Sequence, residues 1–247
     1  MKPFLYKPAR DLDLTGMDRL ASPLRERGLL GAAGHGAFLA SARVYLGLYH
    51  RLRVTGRSIL PRVGPLVIVA NHASHLDAVA ILAALPARLR AVARPVSAAD
   101  TFFRSLPRAG LSSLFIDALA IHRAGVGRHE LGQLRERLEN DGCCLVVFPE
   151  GTRTRTGEQG RFRHGVGSLV AGSPVPVVPC RIEGAHAALP PDAKWPRPSK
   201  IELRFGEPMT FECEHNAREG WRHIAETLED TVKSLSKGGV PTRSAGM

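Results

Sequence analysis

Two short segments, far apart in the sequence, carry side chains suited to acid–base chemistry beside an anion. Residues 71–77 read Asn-His-Ala-Ser-His-Leu-Asp and place the carboxylate of Asp77 five residues after the imidazole of His72. Residues 148–153 read Phe-Pro-Glu-Gly-Thr-Arg and combine a carboxylate with a guanidinium. An unperturbed imidazole has a pKa of about 6.5, so it is mostly neutral at pH 7 and accepts a proton. The two segments together predict a general base beside an anion-binding turn.

Each segment follows an apolar run that is typical of a buried strand. The runs are Leu66–Ala70 and residues 144–148. Because open α/β folds bind ligands where the strands of one sheet end, we expect both segments at the same edge. Asp77 would then lie in the first turn of the next helix, where a negative charge suits the helix dipole. From there it would accept a hydrogen bond from His72 and stabilise the imidazolium as it forms.

The pattern formed by these residues resembles a known family. His72 and Asp77 in a His-x-x-x-x-Asp arrangement, with the later Phe-Pro-Glu-Gly-Thr-Arg, resemble the motifs of the glycerolipid acyltransferases. The 1-acylglycerol-3-phosphate acyltransferases are the best-known members. Two further blocks are similar to family motifs, Ala-Ile-His-Arg at 120–123 and Val-Pro-Val-Val-Pro at 175–179. The resemblance runs from about Arg53 to Gly206, with four motifs in the family's order.

The resemblance implies an O-acyltransferase. Such an enzyme moves a fatty acyl group from a thioester of coenzyme A or acyl carrier protein to the hydroxyl of a lysophospholipid. The best-matching acceptor is 1-acylglycerol 3-phosphate, and the product is then phosphatidic acid. The acceptor hydroxyl attacks the thioester directly and needs only a base and a stabilised oxyanion. Neither a serine nucleophile nor a metal ion or other cofactor is therefore expected.

The resemblance also implies roles for individual side chains. His72 matches the catalytic general base, and Asp77 matches its hydrogen-bonding partner. The expected substrate-binding residues are Arg123, Glu150, Gly151, Thr152 and Arg153. Arginine suits a phosphate because its planar fork makes bidentate contacts. Glu150 would either bind the glycerol hydroxyl or hold neighbouring arginine and backbone groups in place.

One departure from the family pattern leaves the acceptor open. His122 precedes Arg123 where the family usually has an aspartate, which allows another lysolipid acceptor, such as an amino-acid-based one. Two hypotheses from other classes also stay open. A hydrolase would use the same His–Asp pair to activate water, although no Gly-x-Ser-x-Gly motif supports it. A non-catalytic protein would bind a membrane surface through an amphipathic helix and basic patches.

The net charge of +11 favours anionic partners, which include membrane surfaces and phosphorylated substrates. A nucleic-acid partner is not expected, because no binding motif is recognised and few aromatic residues lie among the basic ones. The four cysteines lack zinc-ligand spacing and suit a reducing cytosol. No signal peptide or run of about 18 apolar residues is found. We therefore expect a cytoplasmic protein, peripherally associated with the inner face of the cell membrane.

Residues 37–52 have the periodicity of an amphipathic helix. One face would carry Phe38, Leu39, Ala42, Tyr45, Leu46 and Tyr49, with Arg43, His50, Arg51 and Arg53 beside it. An apolar face with an aromatic edge and basic flanks is typical of a helix that lies in a membrane interface. The same pattern also fits a helix packed on the protein core. The sequence leaves both interpretations open.

The chain as a whole is predicted to be a single α/β domain with a mixed, largely parallel sheet flanked by helices. A loosely ordered arm (1–36) precedes an acyltransferase domain (37–237), which contains the helix 37–52, a catalytic core (53–206) and a C-terminal helix (216–236). A frayed tail (238–247) follows. Predicted strands are 66–70, 89–93, 118–121, 144–148, 175–181 and, at an edge, 201–205. Predicted helices are 75–85, 100–106, 128–140 and 164–171.

Overall fold

A computed structural model describes residues 28–98, 118–121 and 128–236 of the chain. The strands in these ranges are β1 (Arg53–Thr55), β2 (Leu66–Ala70), β3 (Ala93–Ala98), β4 (Leu119–Ile121), β5 (Cys144–Val147), β6 (Val177–Glu183) and β7 (Glu202–Phe205). The α-helices are α1 (Leu29–Leu48), α2 (Leu76–Ala84), α3 (Ala87–Val92), α4 (Arg128–Asp141), α5 (Gly165–Val170), α6 (Ala185–Ala188) and α7 (Arg218–Ser234).

The strands form one sheet in the order β1-β7-β6-β2-β5-β3-β4. β6 and β7 are antiparallel and the other neighbouring pairs are parallel, which confirms the predicted mixed, largely parallel sheet. β2 lies between β6 and β5 and parallel to both, so the carboxyl ends of these three strands meet at one edge. β7 runs in the opposite direction to β6, and β1 is parallel to β7. The amino end of β1 therefore lies at the same edge as the carboxyl ends of β2, β5 and β6.

Both faces of the sheet are covered, which explains why β2 is apolar throughout instead of alternating. Leu66, Ile68 and Ala70 pack on one face with side chains from α1 and α2. Val67 and Val69 pack on the other face with side chains from α4, α5 and α7. The helices contribute Leu39, Leu46, Ile81 and Leu82 to the first face and Leu134, Leu138, Leu169, Ile224 and Leu228 to the second. This packing holds the central strands, and therefore the residues that follow them, in place.

The prediction of a strand over residues 89–93 is wrong. Ala87–Val92 forms α3, and β3 begins only at Ala93. Pro86 immediately precedes α3, and proline is tolerated at the start of a helix, where its missing N–H is not needed. The alanine, arginine and leucine residues that follow Pro86 are good helix formers, so local preference and structure agree here.

The strand predicted at 201–205 forms as β7, but the prediction that it is an edge strand is wrong. β1 pairs with its outer side, with Arg53 opposite Glu202. β1 has only three residues, too few for an alternating pattern to be recognised. The other predicted elements after residue 53 correspond to β2, β4, β5, β6, α2, α4, α5 and α7. The helix predicted at 100–106 lies outside the described residues.

The amino-terminal helix differs from its predicted bounds of 37–52. α1 begins at Leu29, inside the predicted arm, and ends at Leu48. The three glycines in its first turns lower the helix propensity there, but the side chain of His35 is buried and ties these turns to the domain. Arg51 adopts a φ of 47°, a left-handed conformation that stops the helix from reaching residue 52. Within the described ranges, no helix is both long and apolar enough to cross a membrane.

A buried histidine joins the end of α1 to the rest of the domain. The side chain of His50 has no exposed surface. Its Nδ1 lies 3.2 Å from the carbonyl oxygen of Ser199, and its Nε2 lies 3.2 Å from the hydroxyl of Tyr45. These partners fit a neutral ring that donates to the carbonyl and accepts from the hydroxyl. Burial lowers the pKa of His50, and the bond to Ser199 opposes this effect only in part.

We expect the free energy of unfolding to fall as the pH drops below about 6.5, the pKa of an unperturbed histidine. Because the pKa of His50 is lowered by folding, its contribution to stability is complete above that pH and is lost as the pH falls through the folded-state pKa. Urea unfolding at pH 7.5, 6.5 and 5.5 measures the effect. His50→Gln keeps a donor and an acceptor without titrating and should show a weaker pH dependence. Equal pH dependence in both proteins would contradict this role.

Candidate active site

His72 and Asp77, predicted as a pair, form the predicted hydrogen bond between β2 and α2. His72 Nδ1 lies 2.9 Å from Asp77 Oδ2, and the carboxyl group is fully buried. The same oxygen accepts the backbone N–H groups of Ala73, at 2.7 Å, and Ser74, at 2.8 Å. These three bonds fold residues 72–77 into a compact turn, which brings together two side chains that a regular helix would separate.

The bond to Asp77 determines which ring nitrogen of His72 carries the proton. A carboxylate can only accept hydrogen bonds, so Nδ1 carries the proton and donates it in the bond to Asp77. Nε2 is then unprotonated and keeps its lone pair. The His72 side chain is 19% exposed, and no hydrogen bond links Nε2 to any part of the chain that the structure describes. The Phe148 ring stacks on the imidazole with centroids 4.3 Å apart and an interplanar angle of 23°. The imidazole of His72 is thus oriented by its hydrogen bond to Asp77 and held in place by the stacked ring of Phe148.

The second predicted segment holds the backbone of the first. Glu150 is 6% exposed, and its Oε1 accepts the N–H of His72 at 2.8 Å. Its Oε2 accepts the N–H of Gly160 at 3.0 Å. Thr154 N–H donates to the carbonyl of His72 at 2.9 Å, so both backbone groups of His72 are bound. Burial raises the pKa of the Glu150 carboxyl, and its two backbone bonds and His72 oppose that rise. This geometry supports a positioning role.

Replacing Glu150 with glutamine should lower kcat by roughly tenfold and leave the KM for the acceptor nearly unchanged. The glutamine amide would turn an NH2 group towards one of the two backbone N–H donors and so displace His72. Steady-state kinetics with varied acceptor measure the effect. Glu158→Gln removes an exposed carboxylate from the segment between Glu150 and Gly160 and is the control. A raised KM with unchanged kcat would instead indicate that Glu150 contacts the acceptor.

Asn71, immediately before His72, extends the pairing of β2 and β6 by one step. Its side chain is buried, donates to the carbonyl of Ile182 at 2.9 Å and accepts the N–H of Ile182 at 2.8 Å. The amide group therefore takes the place of a peptide group in the ladder. No role of Asn71, Phe148 or Gly160 was predicted from the sequence. The only available signal was position, since Asn71 directly follows one predicted buried strand and Phe148 is the last residue of another.

The remaining predicted site residues lie around this centre or outside the described ranges. Gly151 has a φ of 72°, Thr152 is exposed and Arg153 is half-buried. Arg123 lies outside the described residues, as does His122 beside it. Beside His72, partial burial and the charges of Arg153 and His72 lower the pKa of His75 to about 4, so His75 is neutral at pH 7. Its donor and acceptor nitrogens add no charge to the site.

Metal chemistry was not expected from the sequence. Among residues 28–98, 118–121 and 128–236, no group of three or more His, Cys, Asp or Glu side chains could hold a metal ion. Cys143, Cys144 and Cys180 are buried, and burial raises the pKa of each thiol. These thiols pack as small apolar groups. The expectation that no metal or cofactor takes part remains a prediction.

Known proteins share both the sequence pattern and the fold. A family model described as Acyltransferase matches residues 51–183, more than half of the chain. The chain is 31% identical over 137 residues to 1-acyl-sn-glycerol-3-phosphate acyltransferase alpha of Homo sapiens, a match that covers 52% of this chain and 44% of that protein. A probable 1-acyl-sn-glycerol-3-phosphate acyltransferase of Mycoplasma pneumoniae is 24% identical over 179 residues, 65% of each chain.

A solved structure supports the fold assignment. The 1-acyl-sn-glycerophosphate acyltransferase PlsC from Thermotoga maritima superposes with a TM-score of 0.64 at 23% identity, covering 83% of this chain and 80% of that one. The chain spans about half the length of the curated relatives it matches. The extent of the family match, together with the predicted motifs, leads to one conclusion: the chain belongs to the acyltransferase family.

Proposed function

We propose that this protein transfers a fatty acyl group from an acyl thioester to the hydroxyl of a lysophospholipid. The observation that carries the proposal is the His72 ring, whose Nδ1 is bound to buried Asp77 while Nε2 keeps its lone pair at a partly exposed surface. The names of the relatives support 1-acylglycerol 3-phosphate as the acceptor and phosphatidic acid as the product. The donor is a thioester of coenzyme A or of acyl carrier protein.

The reaction needs one base and no covalent enzyme intermediate. The acceptor hydroxyl gives its proton to His72 Nε2 while its oxygen attacks the thioester carbonyl, which forms the new C–O bond. The tetrahedral oxyanion then collapses, the C–S bond breaks and the leaving thiolate takes the proton back from the imidazolium. Asp77 stabilises the imidazolium between these steps through the bond at Nδ1.

The turn after Glu150 is proposed to bind the substrates. Gly151 allows the left-handed bend, Thr152 is exposed, and the half-buried Arg153 brings a guanidinium close enough to depress the pKa of His75. A positive charge beside the base attracts a phosphorylated acceptor and favours the developing oxyanion. We also propose Arg123 as a second phosphate ligand, and the resemblance of residues 120–123 to a family motif is what supports this role.

The proposed reaction is tested by following labelled acyl transfer together with thiol release, for wild type and His72→Ala in parallel. The donors are acyl-CoA and acyl carrier protein thioester, and the acceptors are lysophosphatidate, other lysophospholipids and an amino-acid-based lysolipid. Acyl transfer by wild type alone would support the proposal and identify the acceptor. Thiol release that does not depend on an acceptor would indicate a hydrolase. Liposome binding without any acyl chemistry would indicate a non-catalytic membrane protein.

We also propose that the edge of the sheet that carries His72 faces the inner surface of the cell membrane. α1 buries one side on the domain but exposes Val44, Tyr45 and Leu48, with Leu48 79% exposed, and Tyr49 directly after the helix is exposed as well. Trp195, 81% exposed, lies beside Pro196, whose carbonyl accepts the Tyr49 hydroxyl at 3.2 Å. We call these five side chains, Val44, Tyr45, Leu48, Tyr49 and Trp195, the apolar patch. Tyrosine and tryptophan are typical of membrane interfaces.

Topology and charge support this orientation of the apolar patch. The end of α1 leads into β1, whose amino end is at the same edge as the carboxyl ends of β2 and β6. Leu189, in the segment before Trp195, accepts the Ser74 hydroxyl at 2.8 Å, so this segment adjoins the His72 turn. From Gly28 onwards the first acidic residue is the buried Asp77, while Arg43 and Arg51 are exposed. The surface is therefore suited to anionic headgroups.

We expect the double variant Leu48→Ser, Trp195→Ala to bind anionic vesicles at least tenfold more weakly than wild type, because two apolar anchors are lost. Cosedimentation with phosphatidylglycerol vesicles measures the change, and high salt should weaken binding by both proteins. Val63→Ser is the control, since Val63 is 59% exposed but lies at the amino end of β2, on the opposite edge. An equal loss with Val63→Ser would contradict the orientation.

A further inference from the structure

The Gly151 N–H donates to the carbonyl of Phe148, and we call this turn of residues 148–151 the Glu150 turn. The loop that follows it is held at three of its backbone N–H groups. We call residues 159–163 the Arg163 loop. The N–H of Gly160 donates to Glu150 Oε2 at 3.0 Å, and that of Arg163 donates to the carbonyl of Pro149 at 2.9 Å. Between them, Phe162 N–H donates to Glu229 Oε2 of α7 at 2.7 Å. Two bonds therefore tie the loop to the candidate active site and one ties it to the C-terminal helix.

The first residue of the Arg163 loop adds side-chain bonds to the same framework. Gln159 donates to the carbonyl of Glu229 at 3.0 Å and accepts from the guanidinium of Arg181 at 2.6 Å. The side chain of Arg181 is 16% exposed, so this contact lies inside the protein. The loop is therefore cross-linked to β6 and α7 over almost its whole length. Such a framework holds the Arg163 backbone in a single position relative to the Glu150 turn.

The guanidinium of Arg163 lies against Gly151, in the Glu150 turn. A methyl group built at Gly151 would come within 2.9 Å of Arg163 Nε and 3.1 Å of Cζ, so the side chain packs directly over this glycine. Gly151 itself donates to the carbonyl of Phe148, the residue whose ring stacks on His72. The guanidinium is exposed, and within the described ranges it forms no hydrogen bond or ion pair. Its donors face solvent at the rim of the site.

We propose that Arg163 binds a phosphate group of a substrate, as an anion subsite beside the His72 centre. The inference rests on the proposed acyl transfer and deepens it. A permanently charged planar fork, held over a tight turn with free donors, suits bidentate contact with phosphate oxygens. Two substrates of the proposed reaction carry such a group. They are the lysophospholipid acceptor, at its headgroup, and the thioester donor, at its phosphopantetheine or nucleotide.

A neighbouring arginine provides a matched comparison. Arg161 has the same charge, belongs to the same loop and is also exposed, but its backbone N–H and side chain form none of the bonds that hold the loop to the Glu150 turn. A general attraction of anions by the basic surface would depend on both arginines alike. A subsite over Gly151 would depend on Arg163 alone. Arg163→Gln and Arg161→Gln therefore separate the two explanations.

The experiment measures KM and kcat for wild type and both variants with four substrate pairs. Lysophosphatidate and 1-monoacylglycerol are compared as acceptors, and acyl-CoA and acyl-pantetheine, which lacks phosphate, are compared as donors. Arg163→Gln should raise the KM of one phosphorylated substrate by about tenfold to a hundredfold, the size of a charge-assisted bidentate contact. The KM of the matching phosphate-free substrate should not change. Arg161→Gln should change every KM by less than about threefold, as expected for an exposed charge.

The outcomes show which substrate carries the bound phosphate. They also separate a failure of the subsite proposal from a failure of the proposed acyl transfer. An effect confined to lysophosphatidate assigns the subsite to the acceptor, and an effect confined to acyl-CoA assigns it to the donor. Unchanged KM values, or equal changes in both variants, would overturn the proposal. If wild type transfers no acyl group, the proposed function fails, and calorimetric titration with glycerol 3-phosphate and with coenzyme A still tests the subsite. Equal binding by wild type and Arg163→Gln would then overturn it.

Discussion

Replacing His72 with alanine is expected to lower kcat by about a hundredfold to ten-thousandfold, the range that general-base catalysis contributes. The acceptor hydroxyl would lose the only group in the described site whose free lone pair is oriented by a buried carboxylate. The fold should survive, because the ring is partly exposed and its main packing contact is with Phe148. Initial rates under saturating donor and acceptor measure the change, and a melting curve for each protein checks the fold.

His75→Ala is the matched control for this variant. It removes an imidazole from the same turn, three residues further on, but the ring whose Nδ1 lies 2.9 Å from Asp77 Oδ2 is that of His72. We expect it to lose less than about tenfold in kcat, since any effect acts through the surroundings of the site. The general-base assignment would not stand if His72→Ala retained wild-type kcat, or if the two variants lost activity equally.

The second large effect is expected from Asp77, which links stability to catalysis. Asp77→Ala would leave the buried N–H groups of Ala73 and Ser74 without an acceptor, as well as the His72 ring. Each bond to a charged group is worth about 1.5–3 kcal/mol, and losses within one cluster overlap. We therefore expect the free energy of unfolding to fall by roughly 2–5 kcal/mol, as measured by urea denaturation. The kcat should fall along with it, because His72 is no longer oriented.

Asp77→Asn separates the charge of this residue from its role as an acceptor. Asp77 Oδ1 has no hydrogen-bond partner in the described part of the protein, so the amide NH2 can occupy that position while the oxygen keeps the three bonds. We expect a smaller loss of stability than in Asp77→Ala, but a kcat at least a hundredfold below wild type, because a neutral amide stabilises the imidazolium poorly. Wild-type kcat in Asp77→Asn would show that the negative charge does not take part.

The sequence was most informative where the chemistry is local. His72 and Asp77 are five residues apart, in a turn between a strand and a helix, and the family resemblance favoured His72 over His75, so their contact could be predicted. The apolar run of β2 and the class of the sheet were predictable for a similar reason, since a strand covered on both faces is apolar throughout. Elements with short or ambiguous patterns were missed or displaced. They include β1, α3 and the start of α1.

By itself, then, the sequence determined which residues are the candidates for the chemistry, and only the tertiary structure decided how they are held. Glu150 reaches the backbone of His72 across 78 positions, and Asn71 reaches Ile182 across 111. Both contacts exist because β2 lies between β5 and β6, an order that no local pattern encodes. The position of Arg163 over Gly151 likewise depends on bonds to α7 and to the Glu150 turn. Periodicity and turn chemistry act over a few residues, whereas the pairing of distant strands follows from the packing of the whole domain.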